Sequence, residues 1–245
     1  MSDSDLTHAH ERLTAIMDEL AGMASEESRA GMARYGIKTD DAFGVSVYEL
    51  RRIAKGCRRD HQLALALWDT GNHEARVLAS MVDDPAAVTE AQMDAWAAAF
   101  DSWDVCDQVT SNLFDKTSFA YDKVAEWSAA EDEWVKRAAF ATAAALAVQD
   151  KKAADERFLP ILKLIRREAG DGRNFVKKAV NWALRNIGKR NAALHAAAID
   201  TAEAILADAE ELAAADRRDT AARSGRWVAR DALRELRSEK VLRRL

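Results

Sequence analysis

Hydrophobic positions recur along this chain at helical spacing and nowhere at strand spacing. Between residues 174 and 190, Val176, Val180, Ala183 and Ile187 fall in one narrow stripe at about 100° per residue. Val135, Ala139, Thr142 and Leu146 make a similar stripe on a second segment, and Val105, Val109 and Leu113 on a third. Runs of alternating Val, Ile and Thr are absent, so no strand is predicted. Ala, Leu, Arg, Glu and Lys fill much of the chain and are strong helix formers. Two prolines and 10 glycines in 245 residues leave few breakers. They place loops at Gly36 to Gly44, Asp83-Asp84-Pro85, Gly170-Asp171-Gly172 and Gly188 to Asn191. The chain reads as all-α.

A weak internal repeat runs through these helices. Trp134-Val135-Lys136-Arg137-Ala138 resembles Phe175-Val176-Lys177-Lys178-Ala179, and both resemble Trp227-Val228-Ala229-Arg230-Asp231-Ala232. His73-Glu74-Ala75-Arg76-Val77-Leu78-Ala79 looks like an earlier, degenerate copy. A helical repeat of roughly 40 residues predicts a HEAT-like array, and the longer last step predicts an insertion. An α-solenoid of this kind offers a concave surface suited to a long partner. No Pro/Ser/Gly linker divides the chain, so residues 31–245 read as one HEAT-like repeat domain. Residues 1–30, with an acidic leading helix from Thr7 to Glu26, read as its cap.

Composition narrows the class. Hydrophobic residues at 49% indicate a folded protein, and the length suits one large domain. Only Cys57 and Cys106 are present, which excludes a disulfide scaffold and a Cys-rich zinc site; both read as small core residues. The acidic N-terminus has no apolar segment of a secretory signal, and no apolar run spans a membrane. A cytoplasmic location is expected.

The net charge of −5 argues against a generic positive field around the molecule. The charge is segregated, however. Residues 1–30, 71–132 and 192–216 carry −5, −10 and −6, whereas residues 31–70, 133–191 and 217–245 carry +2, +8 and +6. A basic concave face is compatible with an acidic total if the acidic helices lie outside.

Candidate chemistry falls on these helices. Lys178, Trp182, Arg185 and Lys189 form a second stripe, roughly opposite the apolar one. Trp182 there either packs against a neighbouring repeat or serves as a stacking platform among phosphate-tracking cations. Arg137 lies nearly opposite its own apolar stripe, where it either holds a phosphate bidentately or is an exposed arginine without a role. In Asp101-Ser102-Trp103-Asp104-Val105-Cys106-Asp107, Asp101 or Ser102 caps a helix and Asp104 suits its first turn. Asp107 caps nothing obvious and shares a face with Trp103. A carboxylate beside an indole can stabilise a developing cation or activate water, and a surface Asp beside a half-buried Trp is the bland alternative. His8 and His10 fall in a terminus expected to fray, while His61, His73 and His195 are isolated and show no metal-ligand spacing. No Gly-rich phosphate loop or nucleophile elbow occurs.

Taken in order, several segments resemble the AlkD-like family of DNA alkylation repair glycosylases. Met32-Ala33-Arg34-Tyr35 followed by Phe43-Gly44-Val45 looks like its N-terminal signature, with Val47 where a proline is usual before Leu50-Arg51. His73-Glu74-Ala75-Arg76 resembles the next repeat. Ser102 to Asp107 matches a Trp-Asp-x-x-Asp motif, Trp134 to Ala139 the segment with the site arginine, and Lys178 to Arg185 the segment with a second site tryptophan. The similarity runs from about Met32 to about Lys189 and fades beyond Asn191.

The resemblance implies hydrolysis of the N-glycosidic bond of alkylated, cationic purines, N3-alkyladenine and N7-alkylguanine, in duplex DNA. Trp103 and Trp182 would flank the deoxyribose, and Arg137 would hold its phosphate. Asp107 would stabilise an oxocarbenium-like sugar and position water, with Tyr35 as an aromatic wall. Lys136, Lys178, Arg185 and Lys189 would contact DNA. A base that already carries positive charge leaves without a general acid, and one carboxylate does most of the work. No cofactor and no metal are expected, and the partner is double-stranded DNA with alkylated bases, bound by a monomer away from any membrane. A non-catalytic HEAT-like scaffold binding DNA or protein is the alternative reading, and an enzyme for bulky natural-product adducts a weaker third.

Overall fold

The structure, a computed structural model, describes residues 3–245, with side chains from Glu11 onward. The side chains of His8 and His10 lie outside the described residues. Helices are the only regular structure among the described residues, and they divide into two compact units, residues 1–118 and 119–245. The sequence marks neither side of Ser118 with a linker.

The first unit contains α1 (Asp3–Gly22), α2 (Glu26–Arg34), α3 (Val47–Ala54), α4 (His61–Asp69), α5 (His73–Val82), α6 (Glu90–Ala98) and α7 (Trp103–Asn112). The leading helix is thus two helices. The first ends at Gly22, and Ser25 starts the second by accepting the Ser28 N–H through its hydroxyl. Side-chain caps also start α3 at Ser46, α4 at Asp60, α5 at Asn72 and α6 at Thr89. α3, α5 and α7 pack in sequence, while α4 joins α5 to α1. The other layer is tied by aromatic rings. Trp68 of α4 stacks on Trp96 of α6 with centroids 4.0 Å apart, and Phe100 and Phe114 surround them.

The second unit contains α8 (Ala120–Trp127), α9 (Glu133–Gln149), α10 (Leu159–Glu168), α11 (Asn174–Ile187), α12 (Ala192–Ala215), α13 (Thr220–Leu236) and α14 (Glu239–Leu242). α9, α11 and α13 form one layer, and α10 with α12 the other. Pro160 sits in the first turn of α10, where a missing N–H costs nothing. The inner helices of this unit begin at Glu133, Asn174 and Thr220. Trp134 and Phe175 are therefore both second residues of their helices, and their rings meet at 5.0 Å. Trp227 lies mid-helix instead, so the third copy read from the sequence is out of register. The longer last repeat is accounted for by the 24-residue α12.

The expected core stripe of α11 holds: Val176, Val180, Ala183 and Ile187 are buried. In α9 burial is not confined to a stripe, since every residue from Arg137 to Ala147 is buried. Small alanine side chains let α8 and α11 approach from different sides. Cys57 and Cys106 are buried and unbridged, as expected.

Candidate functional site

In the first unit, the start of α7 carries the residues expected to do chemistry. Trp103 opens the helix and Asp107 follows one turn later, both partly exposed. Ser102 is the N-cap residue, but its hydroxyl donates to the Asp104 carboxylate rather than accepting a backbone N–H. The Asp107 carbonyl accepts the Thr110 and Ser111 hydroxyls, which tightens the turn below it.

Two structures hold this helix start in place. The Trp103 indole Nε1–H donates to the Tyr35 carbonyl at 3.0 Å, so the loop after α2 orients the ring. Gly36, at φ 72°, lets the chain leave α2 at that point. Tyr35 itself is 75% exposed, an aromatic side chain turned to solvent beside Trp103. The far end of the same loop is bound by a buried carboxylate. Glu74 accepts the backbone N–H groups of Phe43, Gly44 and Val45 at 2.7–3.1 Å. Gly44 is required there: at φ +83° a Cβ would stand 2.4 Å from the Ser25 carbonyl.

The second support is a row of ion pairs from α5. His73 Nε2 meets the Asp104 carboxylate at 2.9 Å. Arg76 donates to Asp101 at 3.0 Å and to the Ala99 carbonyl, with its guanidinium 4.5 Å from the centre of the Trp68 ring. Lys38 closes the row on Asp101 at 3.0 Å. Burial alone would push the His73 pKa down, but the Asp104 hydrogen bond and charge outweigh it and hold it above the ordinary value. Burial likewise opposes ionisation of Asp104, and His73 and Ser102 prevail and lower its pKa. His73 is therefore not isolated, and neither is His61, which meets Asp83 at 2.7 Å. These contacts span 22 to 63 residues, beyond any helical spacing, so no local signal could have announced them.

In the second unit the expected residues have different fates. Lys178 is exposed and Trp182 partly so, on the side of α11 away from the buried stripe. Arg137 is buried at 5% exposure, not exposed, and donates Nη1–H to the Phe175 carbonyl at 2.7 Å. The all-round burial of α9 is the reason. Lys136 is not a surface cation either: it pairs with Glu168 at 2.6 Å and Asp171 at 3.5 Å, with 12% of its side chain exposed. Arg185 and Lys189 share the Glu235 carboxylate of α13. That acid lies 46 to 50 residues away and could not be seen in the stripe pattern. Asp107, Arg137 and Lys178 are each the fifth residue of a helix in this series, a common register on successive repeats.

No group of three or more His, Cys, Asp or Glu side chains that could hold a metal ion occurs among the described residues. No helix among them is long and apolar enough to cross a membrane.

The stacked pairs of short helices define a HEAT-like repeat protein. A solved structure described as a new family of proteins related to the HEAT-like repeat DNA glycosylases, with affinity for branched DNA structures, is similar with a TM-score of 0.70. It is 23% identical, and the match covers 78% of this chain and 82% of that one. The chain belongs to the DNA alkylation repair enzyme family, which it matches over residues 16–236. No curated protein matches it.

Proposed function

We propose that the protein is a DNA glycosylase that releases alkylated, cationic purines such as N3-alkyladenine and N7-alkylguanine from duplex DNA. The observation that carries this reading is the placement of Trp103 and Asp107 one turn apart on a helix start clamped by α5 and by the Tyr35 loop. Cleaving the glycosidic bond of a cationic base leaves positive charge on the sugar. A fixed carboxylate stabilises that charge in the transition state and orients the attacking water, while an indole face shields the sugar from bulk solvent. The lesion's own charge makes it a leaving group. Asp107 takes the carboxylate role, Trp103 the indole role, and Tyr35 adds a second aromatic surface.

On the second unit, Trp182 and Lys178 are the candidate DNA contacts. Arg137, held by the Phe175 carbonyl, and Lys136, paired with Glu168 and Asp171, would have to release those partners to reach a phosphate. Arg185 and Lys189 would first have to release Glu235.

Asp107→Asn is expected to cut release of 7-methylguanine from methylated duplex DNA by about 100-fold or more. Its affinity for the same duplex stays near that of the wild type. Full excision by the variant would remove Asp107 from the mechanism. A second reading is a DNA-binding protein without excision, favoured by the branched-DNA affinity ascribed to the similar solved protein. Chromatography of bases released from methylated DNA separates the two: no released base with retained binding of a four-way junction selects the second.

A further inference from the structure

At the opposite end of α3, α5 and α7 lies a cleft of about 520 Å³ that the glycosylase reading does not use. α5 and α7 run side by side in the same direction, joined near their starts through Arg76 and Asp101 and near their ends through Ser80 and Asn112. The cleft is lined by Arg51, Lys55, Arg58, Arg59 and Lys116, with Asp83 the one acid among the lining residues. Asp83 is already bound by His61 and Gln92 at 2.7 Å each.

Arg51, Lys55, Arg58 and Arg59 are exposed, and none of their side chains has an ion-pair or hydrogen-bond partner among the described residues. Neighbouring Arg52, by contrast, is neutralised by Glu19 and Glu49. Lys116 is aimed by the carbonyls of Ser111 and Asn112 at the end of α7. Its neighbour Asp115, 4.0 Å away, is buried, and burial pushes its pKa up to about 7, so it offsets the lysine only in part. Crowding like charges without counter-charges is unfavourable unless an anion joins them.

The backbone adds an independent sign. Arg59, at φ 61°, is the one non-glycine residue with positive φ among the described residues. A long side chain in the left-handed region is strained, and such strain collects at binding sites. Glycine would suit the backbone better.

We propose that this cleft holds backbone phosphates of the bound duplex, about 8 Å along α7 from Asp107. The proposal rests on the reading of the chain as a DNA-binding repair protein. Up to five cations set around one concavity match consecutive phosphates and carry no base preference.

The test is the double variant Arg58→Gln/Arg59→Gly, with Arg243→Gln/Arg244→Gln as a charge-matched control. Binding of an undamaged duplex is followed by fluorescence anisotropy between 50 and 200 mM salt. The cleft variant is expected to lower the slope of log K against log salt by about 2, and to bind about tenfold more weakly at low salt. Its thermal midpoint should equal or exceed that of the wild type, because Arg59→Gly relieves the backbone. The control should keep the wild-type slope. An unchanged slope in the cleft variant overturns the proposal, as does loss of inorganic-phosphate binding with duplex binding intact. Wild-type binding without base release leaves the cleft standing and removes the glycosylase reading. No duplex binding by the wild type overturns both.

Discussion

His73 and Asp104 show how one pair of side chains ties the candidate site to pH. The His73 pKa is raised in the fold, so its contribution to stability is complete below the ordinary histidine value of about 6.5 and is lost as pH rises through the folded value. Asp104 is shifted the other way, and its contribution is lost as pH falls through its lowered value. The pair is strongest between the two. An NMR titration is expected to place the His73 midpoint above the ordinary value, and Asp104→Asn to bring it down. His73→Gln should flatten the dependence of the thermal midpoint on pH between 6 and 8; a variant as pH-sensitive as the wild type would refute the coupling. The residues themselves were visible in the sequence as a degenerate repeat copy. Their roles were not, because Glu74, His73 and Arg76 each act on backbone or side chains 23 to 31 residues distant.

At the scale of helices, periodicity predicts an element well when one face alone is buried. α11 has that character, and its four stripe residues are all in the core. α9 does not, because its alanines are small enough to be covered on every side, and the same periodicity misplaced Arg137 on a surface. Breakers were more informative about position than about purpose. Gly188 ends α11 as expected, yet a Cβ there would meet Leu236 of α13 at 2.8 Å and Ala198 of α12 at 2.9 Å. The glycine thus marks a close approach of three helices as well as a turn. Gly188→Ala is expected to cost about 1–3 kcal/mol through overpacking, measured by urea denaturation. A stabilised variant would show that the contact relaxes freely.

Across the whole molecule, the acidic total conceals local excesses of the opposite sign. Retention on an immobilised polyanion such as heparin at pH 7 and low salt is expected despite the sequence pI of about 5.6, with elution as salt rises. Passage without delay would mean that the paired acids screen every cationic cluster. The cleft at Arg58 and Arg59 was hidden in a segment whose net charge is only +2.

The sequence by itself determined the helical class, the four loops that its glycines and prolines mark, the repeat character and the placement of Trp103 and Asp107 one turn apart, because each of these depends on residues a few positions apart. Only the tertiary structure decided which cations remain available. Lys136, Arg185 and Lys189 meet acids 32 to 50 residues away, whereas Lys178, Arg51, Lys55, Arg58 and Arg59 meet none among the described residues. Charge is written in the composition, but whether a charge is already neutralised depends on which helices the fold brings side by side.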